Sequence, residues 1–145
     1  MGANTIPIFP AKSNVSWGVL AAANTAKDGT GATVTLFTAG NEGSRIDQIK
    51  ARALGTNVAT VLRLFVNNGS DPSVAANNSL EHEVTIAATA LTEIAALADN
   101  VVTITLGNAD PVCPIPYLPA GYKIMATLGT AVAAGVQVTV FGGDY

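Results

Sequence analysis

Apolar and polar residues alternate with a period of two along most of this chain, and no other feature narrows the fold as much. Leu62, Leu64 and Val66 share one side of an extended segment while Arg63 takes the other. Val15, Trp17 and Val19 alternate with Ser16 and Gly18, Val34 and Leu36 with Thr33 and Thr35, and Val102, Ile104 and Leu106 with Thr103 and Thr105. Successive side chains of a strand point to opposite faces, so each run reads as a strand with one covered face. Turn clusters separate the runs: "KDGTG" at 27–31, "AGNEGS" at 39–44, "NNGSDPS" at 67–73, "GNADP" at 107–111 and "LPAG" at 118–121. About eight short strands at this spacing predict an all-β chain folded as a two-sheet antiparallel sandwich, jelly-roll-like, forming a single domain over residues 14–145. "MGANTIPIFPAKS", residues 1–13, has prolines at 7 and 10 and reads as an extended N-terminal arm.

Finer expectations follow from the same pattern. In "RIDQIKARAL" the apolar parity changes between Ile46 and Ile49, which predicts a bulge. "TALTEIAALAD" at 89–99 fits a helix through Leu91, Ile94, Ala95 and Ala98, and fits a strand, the slightly favoured reading, through Leu91, Glu93, Ala95 and Leu97. "DPVCPIPYLP" at 110–119 is too rich in proline for a central strand. Near the C-terminus, Tyr122, Ile124, Ala126 and Leu128 form one apolar row, and Val136, Val138 and Val140 form another. With the small loop "GTAVAAG" between them they read as an antiparallel hairpin, with Lys123, Thr127, Gln137 and Thr139 facing out. "IKARALGTNVATVLRLFV" at 49–66 echoes "KIMATLGTAVAAGVQVTVF" at 123–141. The echo is either one small-residue loop arising twice or two related units in equivalent places of a two-sheet fold.

Charge and residue counts exclude several functions. Seven Lys and Arg stand against ten Asp and Glu, and the cations are scattered, so the clustered charge that binds a phosphate backbone is missing and no nucleic-acid partner is expected. No apolar run reaches bilayer-spanning length, so no membrane partner is expected. The N-terminus has no basic segment followed by an apolar one, so no secretion signal is expected. Charged residues make up only 12 %, about half the usual share, which predicts large weakly charged surfaces and a homo-oligomer. Val61, Phe65 and Met125 sit opposite the core rows and are expected to meet another chain.

Candidate chemistry is sparse. His82, the single histidine, shares parity with Leu80, Val84 and Ile86 and reads as structural, since Glu81 and Glu83 point away from it. Those two glutamates lie on one strand face, roughly 7 Å apart, as glycoside hydrolysis would need, but the aromatic platforms of a sugar site are scattered. Cys113 is a lone thiol among prolines, without an evident base. "KDGTGAT" lacks the Gly-Lys-Ser/Thr of a phosphate loop. No catalytic residue, metal site or cofactor is expected. The candidate functional residues are instead Ile6, Ile8 and Phe9, three large apolar side chains on the arm, placed to contact another subunit.

The stretch "NTAKDGTGATVTLFTAGNEGSRIDQIKARALGTNVATVLRLFVNNG" at 24–69, with "LPAGYKIMATLGTAVAAGVQVTVFGGDY" at 118–145, resembles small structural proteins of tailed bacteriophages, of the head decoration or cement type. The Asp-Gly-Thr-Gly turn, "GSRID" and the "LPAGYK…GGDY" ending carry the likeness, which leaves residues 70–117 unplaced. The resemblance implies a non-enzymatic virion protein made in the host cytoplasm. It would sit on the capsid surface, clamp neighbouring copies of the major capsid protein, and often be a homotrimer. A carbohydrate-binding or adhesion module is the alternative reading, and a hydrolase using Glu81 and Glu83 a third.

Overall fold

The computed structural model describes residues 9–103 and 110–145. Within them the chain forms nine strands: β1 (Lys12–Leu20), β2 (Val34–Thr38), β3 (Ser44–Ala53), β4 (Thr60–Asn67), β5 (Asn78–Ile86), β6 (Asp99–Val101), β7 (Tyr117–Leu118), β8 (Lys123–Leu128) and β9 (Val136–Asp144). One sheet has the order β1-β9-β3-β6, with the short β7 also on β3; the other has the order β2-β8-β4-β5. Every strand pairing is antiparallel. This arrangement is a jelly roll, as the strand spacing predicts. Buried Ile49, Ala51, Val136, Val138 and Val140 of the first sheet face Leu62, Leu64, Ile124, Ala126 and Leu128 of the second.

The C-terminal pair differs from its expectation. Both apolar rows are buried, but β8 and β9 belong to opposite sheets and do not form a hairpin. Residues 129–135 instead cross the sandwich, a gap of about 10 Å. Segment 49–66 makes the same kind of crossing in reverse, from β3 to β4.

The two crossings are equivalent at residue level. Ala53 lies opposite Val136 as Leu128 lies opposite Leu62; Ala51 and Val138 match Ala126 and Leu64; Ile49 and Val140 match Ile124 and Val66. The Leu54 N–H donates to the Gly135 carbonyl at 3.0 Å, and the Gly129 N–H to the Val61 carbonyl at 2.9 Å. Exchanging β1 with β5, β2 with β6, β3 with β8 and β4 with β9 converts one sheet's order into the other's. The two sheets are thus related by a pseudo-twofold, but the sequence echo, which sets Leu54 with Leu128 and Val58 with Val132, is one residue out of step with it: Leu54 and Val58 are exposed where Leu128 and Val132 are buried.

Other expectations hold or fail for local reasons. The β3–β9 register shifts between Ile46 and Gln48, at the predicted bulge. Gly142 sits opposite that bulge, where a Cβ would strike the Arg45 carbonyl oxygen, which explains one glycine of the "GGDY" ending. Residues 110–119 supply only β7. Residues 89–98 form neither helix nor named strand. Thr89 Oγ1 donates to the Gly55 carbonyl at 2.6 Å, and the Leu91 N–H donates to Thr56 Oγ1 at 2.9 Å, so the segment is stitched to the β3–β4 loop.

Phe65 and Met125 do not await a partner; both are fully buried within the chain. The β1–β2 connection crosses the outside of their sheet. The Asn24 N–H donates to the Leu128 carbonyl at 2.7 Å, and Arg63 Nη1 donates to the Asn24 carbonyl at 3.0 Å. Asn78 Nδ2 donates to the Asp28 carbonyl at 3.1 Å. These anchors bracket the row in which Phe65 pairs with Met125. Thr127, expected in solvent, is covered by the same crossing and its hydroxyl has no hydrogen-bond partner.

Candidate docking surfaces

Of the side chains with possible chemistry, Glu83 and Cys113 have hydrogen-bond partners in the fold, and Glu81 is exposed on β5. Glu83 accepts from Arg63 Nε at 2.7 Å and lies 3.6 Å from Lys27 Nζ. The Arg63 hydrogen bond, with smaller help from Lys27, holds the Glu83 carboxyl below the usual range, so it stays ionised and is poorly suited to act as a general acid. His82 is half-buried, opposite Leu64. Burial pushes the Cys113 thiol up, the reverse of what a nucleophile needs, and its sulfur donates to the Ile115 carbonyl at 3.5 Å. Among the described residues, no three His, Cys, Asp or Glu side chains converge as metal ligands would. A shallow hollow of about 300 Å³ lies beside Arg63, lined by Thr60, Val61, Thr85, Gly129 and Thr130. The Thr60 hydroxyl there already donates to the Thr130 carbonyl and accepts from its N–H, both at 3.1 Å.

What the fold leaves unpartnered is apolar surface. On edge strand β1 the inward row is Asn14, Ser16, Gly18 and Leu20, and the apolar row Val15, Trp17 and Val19 faces solvent, with Trp17 61 % exposed. Across the ladders Trp17 lies beside Thr139 and then Lys50, and Val19 beside Gln137 and then Arg52. Both cations pair with Asp99, at 3.7 and 3.4 Å.

A second apolar feature stands at one end of the sandwich. Ile94 is 95 % exposed on the turn closed by the Thr92–Ala95 bridge, and Leu91 and Val58 are more than half exposed. The Asn57–Thr89 bridge and the threonine hydrogen bonds hold this tip to the scaffold. Of the arm residues expected to act, Phe9 is 73 % exposed; Ile6 and Ile8 lie outside the described residues. The Ala11 N–H donates to the Asp144 carbonyl at 2.7 Å and so directs the chain alongside β9.

Sequence reading alone passes over the Trp17 row and the Ile94 tip. The one signal for the first is that Ser16 and Gly18 are too small to be solvent-facing partners of a buried row. The second carries none, because Ile94 fits the apolar stripe of a helix.

No protein-family model matches the chain, and no curated protein matches it. A solved structure to which the chain is similar is described as the structure of infectious bursal disease virus Gx strain, at 15 % identity and a TM-score of 0.28. The match covers 97 % of this chain, which spans about a third, 36 %, of the solved one.

Proposed function

We propose that this protein is a non-enzymatic virion component, a decoration or cement protein that binds the major capsid protein at the head surface. The resemblance of residues 24–69 and 118–145 to such phage proteins motivates the reading. The single observation that carries it is the Ile94 tip. Three large aliphatic side chains are presented to water on a hydrogen-bonded support, and none contributes to the core. Leu91 and Ile94 lie in the region the resemblance leaves unplaced, where contacts particular to one partner belong. Burying Ile94 alone is worth about 1.5–3 kcal/mol, and a preformed tip loses little of that to ordering. Phe9 and the arm before it supply a second contact, one that can add main-chain hydrogen bonds at a neighbour's sheet edge.

The test is co-sedimentation of the purified chain with heads assembled from the major capsid protein of the same genome. Wild type should pellet with the heads. Ile94→Asp combined with Leu91→Ser should weaken binding at least about tenfold at an unchanged melting temperature. Wild type remaining in the supernatant defeats the decoration reading. Undiminished binding by the variant removes the tip from it.

A further inference from the structure

We infer that β1 is a self-association edge: two copies pair their β1 strands antiparallel about a twofold axis through Trp17, joining the two β1-β9-β3-β6 sheets into one. This inference stands on the edge itself and not on the capsid reading.

β1 is nine residues long, pairs β9 along its whole length and, among the described residues, has no strand on its other side. A long unpaired edge is a template for another strand, and natural sheets block it with charges, prolines or bulges. Here β1 has no register shift, and the sequence carries neither charge nor proline from Ser13 to Ala26.

A twofold contact also requires self-complementarity, residue i meeting j while j meets i. The outward row Val15, Trp17, Val19 reads the same in both directions. Centred on Trp17, antiparallel pairing sets Trp17 against Trp17 of the second copy and each Val15 against the other copy's Val19. On the opposite face Ser16 meets Gly18, so no bulky side chain obstructs the approach. The Lys12 residues fall at opposite ends of the shared ladder and do not face each other.

Size decides how tight such a pair is. With 61 % of its surface exposed, Trp17 offers on the order of 100–150 Å² per copy. The two half-exposed valines and the strand edge add to this. The total stays at the low end for specific interfaces, below about 1,200 Å², which fits a reversible dimer that forms with rising concentration.

The experiment is sedimentation equilibrium of the full chain from low to high micromolar concentration, joined to cysteine cross-linking in a Cys113→Ser background. Wild type should pass from monomer to dimer, and Trp17→Lys should weaken the dimer at least tenfold while keeping the wild-type circular dichroism. Under mild oxidation Trp17→Cys should form a disulfide-linked dimer. Val15→Cys alone should not, because its counterparts would lie about 13 Å apart along the strand, beyond disulfide reach. Val15→Cys with Val19→Cys should link again. A monomer at the highest concentration, a trimer, or cross-linking through Val15→Cys alone overturns the inference.

Discussion

Replacing Gly18 with alanine sets two effects of opposite sign against each other. Glycine within a strand is unfavourable by roughly 0.5–1 kcal/mol relative to alanine, because the unfolded chain has more freedom to lose. Its backbone here is not in the left-handed region, so on conformational grounds alone Gly18→Ala should stabilise. The packing says otherwise. A Cβ at residue 18 would lie 2.6 Å from Val34 Cγ1 and 3.1 Å from Leu36 Cδ2, where the edges of β1 and β2 close the sandwich. Val34 is β-branched and has little rotamer freedom with which to retreat. Overpacking of this kind costs about 1–3 kcal/mol, so the net expectation is a loss of roughly 0.5–2 kcal/mol. Urea melts of the two proteins measure it directly. Adding Val34→Ala to Gly18→Ala should cost less than Val34→Ala does in the wild type, because the second change opens the space that the first one needs. A Gly18→Ala protein as stable as wild type, or more so, refutes the claim that this contact sets the approach of the two sheets.

Two further outcomes test the core and the Arg63 pair. Ile124→Ala should lower stability by about 2–5 kcal/mol, since Ile124 is fully buried opposite Val66; Thr139→Ala, on the outer face beside Trp17, should cost less than about 1 kcal/mol. Denaturant melts in which Thr139→Ala is the more damaging would invert the face assigned to β9. Because folding lowers the Glu83 pKa, its contribution is present above the ordinary carboxylate range and is lost as pH falls through the folded value. Glu83→Gln should therefore lose less urea midpoint between neutral and acidic pH than wild type does, and an equal loss shows that the Arg63 pairing is not linked to folding.

Much of this fold can be read from the residues in order. Two-residue alternation and the glycine, asparagine and proline clusters between runs specify strands and turns. The parity change after Ile46 specifies the bulge. The buried rows of β4, β8 and β9 follow from parity because valine, leucine and isoleucine stand on one side and polar residues on the other. The docking surfaces are less legible. Phe9 is marked by its place on an arm, whereas Ile94 is not, since its spacing to Leu91 and Ala98 suits a helix that would hide it.

Tertiary structure alone decided the rest, and the physical reason is that alternation carries a period but neither a partner nor a sign. Two alternating runs joined by seven small residues satisfy a hairpin and a sheet crossing equally; β8 lies with β4, and β9 with β3, because each finds there a full ladder and a shared apolar row. On β1 the pattern is the one expected of a half-covered strand, but β2 approaches so closely at Gly18 that only the small row fits inside, and Trp17 is left in water. Phe65 and Met125 stand on the outer side of their sheet and are buried all the same, because residues 21–33 turn back over them. That crossing depends on Arg63 meeting Asn24 and Asn78 meeting Asp28, across as many as 50 positions of sequence (28 to 78), and no local propensity encodes a meeting at that distance.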